Sequence, residues 1–594
     1  MYLRQCYRRY EGKRHAYWAL VESHRTERGP RQRVVSYLGT MDEGGRLGVC
    51  MAAEEGWVPQ GDLFAESLTP EWVQVKVRDV RVERTREFGG AWLGLQVAHK
   101  LGLIDFLKQA MPSGREEIPW SSMALVLILC RLLDPSSELR IAETIYQKTA
   151  LSDLLGIPPD KVNDDRLYRA LDGLLPHKEK LEAHLSASLG TMFNVEYDLL
   201  MYDVTSTYFE GQAADNAEAA RGYSRDHRPD CKQVCIGLVV SRSGLPLGYE
   251  IFAGNTADVT TVEKIVTTME KRYGAKSRIW VMDRGMVSEA NIQFLNDGNR
   301  RYILGTPKSQ LHQFEKQLLE DGWSEIRDGL EVKLCPAPSG NEVFILCRSA
   351  QRREKEKAMH DRFAAKIETA LAKITESCRK QKRDPLLVSR QIGRIMGQNT
   401  RAAGLFKVDV RTRTDGGASV DWKHVEAWRE WATLSEGCYM LRSNVTEWSA
   451  DELWKAYVQL SQAEAAFCIQ KTDLRIRPIW HQTKDRVHAH IFVCFLAYVL
   501  WKTLDQLCEA AGLGNSARKV LDELKSMQLV DVVLPTREGV DIRKRCVAQP
   551  TAHQAILLQY LKMSPPKSLK MQNHSTDVVK KNDDCVLNSG ALSC

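Results

Sequence analysis

Hydrophobic positions change period several times along the chain, and each change marks a boundary. Residues 1–45 alternate apolar and polar side chains, as in HAYWALVESHRTERGPRQRVVSYLGT, which predicts a small antiparallel β unit with a turn around Gly29-Pro30. Residues 46–85 carry no clear period. From Ala91 to about Phe193 apolar residues recur at helical spacing, with Ser137 and Asp164 as predicted N-caps. The pattern then becomes α/β. Apolar, β-prone runs over 197–209, 232–240, 247–252, 278–282 and 302–305 predict strands, with helices over 261–273 and 288–295. Between 307 and 436 the order breaks into strand-like pieces (LEVKLCP, NEVFILCR) and a long charged helix over 352–382. The α/β pattern resumes with a strand at 438–441, a helix through Tyr457 and a buried helix over 489–507. A helix at 518–527, a hairpin around 529–534 and 539–545 and a short last helix follow, and the polar composition from Ser564 onward predicts a disordered tail.

These boundaries predict an N-terminal β unit (1–45), a mainly helical domain (46–193), an α/β core in two pieces (194–306 and 437–510), an insertion (307–436), a C-terminal module (511–563) and a tail (564–594). The insertion is expected to be rich in β structure.

The stretch YVQLSQAEAAFCIQKTDL, read at steps of three and four, puts Tyr457, Leu460, Glu464, Phe467, Lys471 and Leu474 on one helix face. A carboxylate on an interior-facing stripe costs several kcal/mol unless it is paired or binds a metal. Lys471 stands seven residues away, ~10 Å of helical rise, too far to be the partner. Two aspartates upstream fill that role: Asp203 and Asp283 each follow an apolar strand-like run, LLMY and IWVM. Were those runs neighbouring strands, the carboxylates would emerge side by side. Such a set suits hard cations, Mg²⁺ or Mn²⁺, of which three carboxylates can hold two for in-line phosphoryl displacement. An Asp at a strand end is more often a turn former or cap; the conjunction with Glu464 is what carries weight.

Composition changes this picture little. The 594 residues exceed a single core, and a net charge of +7 from 83 basic and 76 acidic residues permits a nucleic-acid partner without demanding one. Basic residues do gather near the chemistry: Arg284 after Asp283, and Lys471, Arg475 and Arg477 after Glu464. Fifteen Cys without a CxxC pair predict free thiols in a reducing, cytoplasmic compartment. His488 and His490 sit two apart on a helix and so face different ways, which argues against shared metal ligation. The 166–174 segment is a candidate DNA-reading helix, with plain packing the commoner alternative.

The order Asp203, Asp283, Glu464 resembles the DDE transposases of bacterial insertion sequences. The last segment is similar to the YREK signature of the insertion-sequence-four superfamily: Tyr457, Glu464 and Lys471 match its spacing, and Leu460 stands at its Arg position. YDVTSTYFEG, GNTAD and VMDRGMVSEANI resemble the same family. The resemblance implies an RNase H-like α/β core interrupted by a β-rich insertion, with Asp203, Asp283 and Glu464 as catalytic metal ligands for two Mg²⁺ or Mn²⁺ ions. Tyr457, Lys471 and Arg284 would contact the backbone of the transposon end. It further implies cleavage at terminal inverted repeats, strand transfer into target double-stranded DNA, a homodimer on paired ends and a nucleoid-associated place in the cytoplasm, with no membrane. A Trp of the insertion could stack on a flipped base, with Trp323, Trp422, Trp428, Trp431 and Trp448 available and a packing role the commoner one for each. Two alternatives stay open: a catalytically inactive DNA-binding descendant, and a haloacid-dehalogenase-like phosphatase, whose motif needs a second Asp where Thr205 stands.

Overall fold

The computed structural model describes residues 2–10, 13–26, 29–39, 74–195, 197–274, 278–337, 340–537 and 539–569. The chain divides into two compact units, residues 1–75 and 76–594. In the first, β1 (Tyr2–Tyr10), β2 (Lys13–Thr26) and β3 (Gly29–Gly39) form an antiparallel sheet in that order. Its second hairpin closes with Thr26 opposite Gly29, so Gly29 and Pro30 begin β3 instead of forming the turn predicted around them.

The second unit begins with β4 (Arg81–Glu87), within a stretch that carries no period in the sequence. A helical block follows, and its Trp120–Leu133 helix is buried along almost its whole length. Asn163, not Asp164, caps the Asp164–Leu174 helix, its side chain accepting the Arg166 N–H at 2.9 Å. That helix buries Leu167, Ala170, Leu171 and Leu174, and Arg166 is held by Glu117 at 2.7 Å. The segment singled out as a DNA-reading candidate thus packs one face into the helical block.

The main sheet contains β5 (Leu199–Tyr208), β6 (Gln233–Ser241), β7 (Pro246–Ala253), β8 (Ile279–Met282), β9 (Arg301–Gly305), β10 (Ser324–Arg327), β11 (Leu330–Pro336), β12 (Val343–Ser349) and β15 (Cys438–Ser443), in the order β10-β11-β12-β15-β9-β8-β5-β6-β7. The five strands β7-β6-β5-β8-β9 are an antiparallel meander followed by two strands parallel to β5, the RNase H-like arrangement. Beyond β9 the sheet continues through four antiparallel strands. Three of these, β10 to β12, fall in 307–436. The strand-like pieces read there as an insertion thus extend the core sheet instead. Their anchor, β15, lies some ninety residues further on, a pairing that no local pattern announces. The remainder of that span is a helix-dominated body with one hairpin, β13 (Phe406–Thr412) and β14 (Ala418–His424), around Ile367, Leu371, Val388, Phe406 and Val420.

The Lys484–Ala510 helix is long and apolar enough to cross a membrane by length and composition, yet 94% of its apolar window is buried inside the protein. It packs against the Trp120–Leu133 helix, so the helical block and the sheet share a core. At the C-terminal end β16 (Gln528–Pro535) pairs with β17 (Asp541–Val547) on one side and β4 on the other. Residues 564–569 do not begin the tail, because Leu569 N–H donates to Arg545 O at 3.2 Å beside β17. The rest of the predicted tail lies outside the described residues.

Candidate active site

The runs LLMY and IWVM are buried throughout and pair as parallel neighbours, with Tyr202 opposite Met282. Asp203 and Asp283 are the next residue on each chain. Asp283 keeps an extended backbone (φ −74°, ψ 163°) before the chain turns at Arg284–Met286. Adjacent strands lie ~4.8 Å apart, so the two carboxylates leave the sheet side by side. The pleat turns Asp203 to the same face as Met201, the face on which the Ser461–Thr472 helix packs.

That helix differs from the expected one. The segment through Tyr457 is two helices, Ala450–Val458 and Ser461–Thr472, joined by a tighter turn in which Leu460 N–H donates to Tyr457 O and Ala463 N–H to Leu460 O. The buried stripe is Leu460, Ala463, Phe467, Gln470 and Leu474. It shares Leu460, Phe467 and Leu474 with the predicted stripe and replaces Glu464 and Lys471 by their neighbours one position earlier. Glu464 is therefore exposed, about 100° round the helix from the packed seam, and is not the buried charge expected. It stands on the wall of an open cleft of about 460 Å³ that Asp283 and Tyr457 also line.

The Asp203 carboxyl feels the other two. Burial pushes the Asp203 carboxyl up to about 6, and the negative charges of Asp283 and Glu464 add to it against the opposing Val204 N–H and Arg225. Among the described residues none of the three carboxylates has a salt-bridge partner; Asp283 Oδ1 accepts only the Tyr457 hydroxyl, at 3.4 Å. Asp283 and Glu464 line one cleft and Asp203 feels the charge of both; carboxylates so placed are a donor set that suits a divalent oxygen-preferring cation.

The cleft walls are cationic. Arg284 lines it, together with Lys308, Arg327 and Arg352, which sequence reading misses because they come from three separate elements. Lys308 and Arg352 share a single carboxylate, Glu356, at 2.7 and 3.1 Å, so the wall keeps excess positive charge. Arg327 lies over the Trp454 ring at 5.1 Å and Arg352 over Tyr439 at 4.9 Å, which fixes their reach.

Lys471 is not on this wall. Its ammonium is 2.9 Å from Asp226, a buried carboxylate that Arg477 also engages. His227 has a left-handed backbone (φ 57°), and Arg228 is turned to Asp230 at 2.9 Å. His488 pairs with Glu218 at 2.6 Å while His490 is buried, so the two point apart. The five Trp residues of interest are partly buried, and none lines the cleft.

Gly305 at the end of β9 is required by close approach. A Cβ there would sit 2.4 Å from the Tyr457 hydroxyl and 3.0 Å from the Arg284 amide. Gly305→Ala is expected to push Tyr457 off Asp283 at a cost of ~1–3 kcal/mol. It should slow DNA cleavage about tenfold or more while end binding in a gel-shift assay stays near wild type.

Comparison with known families bears on this geometry. A model described as "Transposase DDE domain" matches residues 195–500, and one described as "IS1634 family transposase, N-terminal domain" matches residues 3–54. No curated protein matches the chain. Among solved structures, the piggyBac transposase synaptic complex with hairpin DNA aligns over 72% of this chain and 75% of that one, at 9% identity and a TM-score of 0.35, a likeness too slight to add to the argument. The DDE match alone spans just over half of the sequence and contains every strand and helix that bounds the cleft, so the chain belongs to the DDE transposases of bacterial insertion sequences.

Proposed function

We propose that Asp203, Asp283 and Glu464 hold two divalent cations, Mg²⁺ or Mn²⁺, and that the cleft beside them receives the end of an insertion sequence. What supports this reading is the register of β5 and β8, which sets Asp203 beside Asp283 on the face covered by the Glu464 helix. When bound, such ions activate a water or a 3′-hydroxyl and stabilise the leaving oxygen of an in-line phosphoryl displacement.

The chain's own groups supply the rest. Arg284, Lys308, Arg327 and Arg352 draw the phosphate backbone into the cleft and hold it there. Tyr457 orients the Asp283 carboxylate and borders the reacting phosphate. A Lys471 contact to the transposon end needs its ammonium to leave Asp226. Cleavage by water frees a 3′-OH at the terminal inverted repeat; that oxygen then attacks a phosphorus of target double-stranded DNA, and the target's own 3′ oxygen leaves. The working species is a homodimer on two paired ends, acting on the nucleoid in the cytoplasm.

Glu464→Gln removes one ligand at an exposed position and disturbs no packing. It is expected to abolish Mg²⁺- or Mn²⁺-dependent nicking of a cognate end and leave end binding intact. A Glu464→Gln protein that nicks at the wild-type rate would sink the assignment.

A further inference from the structure

A second set of metal-ligand side chains lies away from the cleft, where the helical block meets the segment that follows the Glu464 helix. Glu138 comes from the turn that Ser137 caps, His481 from the loop after the Ser461–Thr472 helix, and His490 from the second turn of the Lys484–Ala510 helix. One donor atom from each lies within 4.8 Å of the other two. Glu138 and His490 are 5% and 6% exposed, and the His481 side chain is 10% exposed.

The detailed geometry suits an ion with nitrogen and oxygen ligands. Glu138 Oε1 and His481 Nε2 are 3.2 Å apart. Two ligands of a tetrahedral ion with bonds of ~2.0–2.1 Å are separated by about 3.3 Å. His490 Nε2 lies 3.0 Å from the carbonyl oxygen of Ile476, so that nitrogen carries the proton and Nδ1 keeps the lone pair. A backbone carbonyl that orients the ring in this way is the usual second partner of a ligating histidine.

The neighbourhood also discriminates between ions. Arg131 faces the site, and Arg475 and Arg477 line the adjoining cavity of about 190 Å³. Mg²⁺ and Ca²⁺ depend on several carboxylates and are disfavoured by one carboxylate beside a guanidinium. Two imidazoles and one carboxylate are a zinc ligand set, and its neutral nitrogen donors make it depend less on carboxylate charge than Mg²⁺ or Ca²⁺ would.

We infer that Glu138, His481 and His490 bind one Zn²⁺ that staples the helical block to the 473–483 segment linking the Glu464 helix to the Lys484–Ala510 helix. Ser136, Ser137 and Trp480 line the same cavity as the three ligands. This inference is independent of the roles proposed for the cleft carboxylates.

The test uses the full chain, stripped with a chelator and titrated with Zn²⁺ alone and separately with Co²⁺. One equivalent of Zn²⁺ is expected to bind and raise the thermal midpoint, equally in the Glu464→Gln protein. Co²⁺ should give a visible spectrum without a thiolate charge-transfer band. His481→Ala should weaken Zn²⁺ binding by ~100-fold or more, beyond the ~10- to 100-fold of an outer-shell change, with the circular dichroism of the metal-free protein unchanged. His490→Gln should do the same; if that buried change prevents folding, His481→Ala decides. Absent binding, equal Zn²⁺ affinity in His481→Ala, or a thiolate band in the Co²⁺ spectrum would each overturn the inference.

Discussion

Asp203→Asn is expected to stop end cleavage and at the same time to stabilise the metal-free protein. The side chain is raised to about 6 in the folded protein, from an ordinary value of 3.8. A raised folded-state value means that the folded protein holds a proton which the unfolded chain has already released. The destabilisation is absent below about pH 4, grows as pH rises toward 6 and is complete above it. Removing the charge should therefore return on the order of 2 to 3 kcal/mol at pH 7.5 and nothing at pH 4. Thermal melts of both proteins in chelator across that pH range measure this directly. Loss of a proposed metal ligand should lower cleavage by ~10³-fold or more, about 4 kcal/mol of transition-state stabilisation. The same titration predicts that wild-type cleavage at limiting Mg²⁺ falls as pH drops through 6, and that excess Mg²⁺ moves the fall to lower pH. A stability gain without a loss of cleavage would separate the electrostatic reading from the catalytic one.

The second large effect concerns the join between β4 and the C-terminal hairpin. Arg86, Asp153, Arg545 and Asp531 form a closed ring of alternating charge, with side chains 2–10% exposed. Arg86 lies 2.7 Å from Asp153 and 3.0 Å from Asp531, while Arg545 lies 2.5 Å from Asp153 and 2.8 Å from Asp531. Burial alone would raise Asp531, but its bonds to Arg545 and Arg86 win and hold it below the usual carboxylate range. Its stability contribution is thus present at neutral pH and is lost as pH falls through that lowered value. Asp531→Ala leaves two buried guanidinium groups to one carboxylate and is expected to cost ~3–5 kcal/mol. Because β16 lies between β4 and β17, amide exchange should accelerate together at β4 and β16. Acceleration in β17 alone would show that the ring does not hold the three strands as a unit.

How far the sequence could be read follows from which signals are local. The strands leading to Asp203 and Asp283 are legible because each is a continuous apolar run ending in a single carboxylate. Their parallel pairing is then the arrangement an α/β order favours. The stripe that singles out Glu464 also predicts its burial, which the structure does not show. Two stripes one residue apart share Leu460, Phe467 and Leu474, and only packing against the sheet decides between Glu464 and Ala463. The extension through β10 to β12 was hidden because β12 finds its partner only at β15. The cationic wall was hidden for a similar reason: Lys308, Arg327 and Arg352 sit on three different elements, none distinctive alone. Likewise Lys471 and Asp226, 245 residues apart, meet only through the fold. A Cα trace of sequence spacing cannot announce that Lys471 already has a partner.

The most direct test of the shared cation site is localised backbone scission. Fe²⁺ replaces Mg²⁺, and ascorbate with peroxide generates hydroxyl radicals at the bound ion. The account predicts cuts clustered near Asp203, Asp283 and Glu464 together, all suppressed by excess Mg²⁺ and all weakened in Glu464→Gln. Cuts confined to one of the three segments, or a pattern that Mg²⁺ does not compete away, would contradict it.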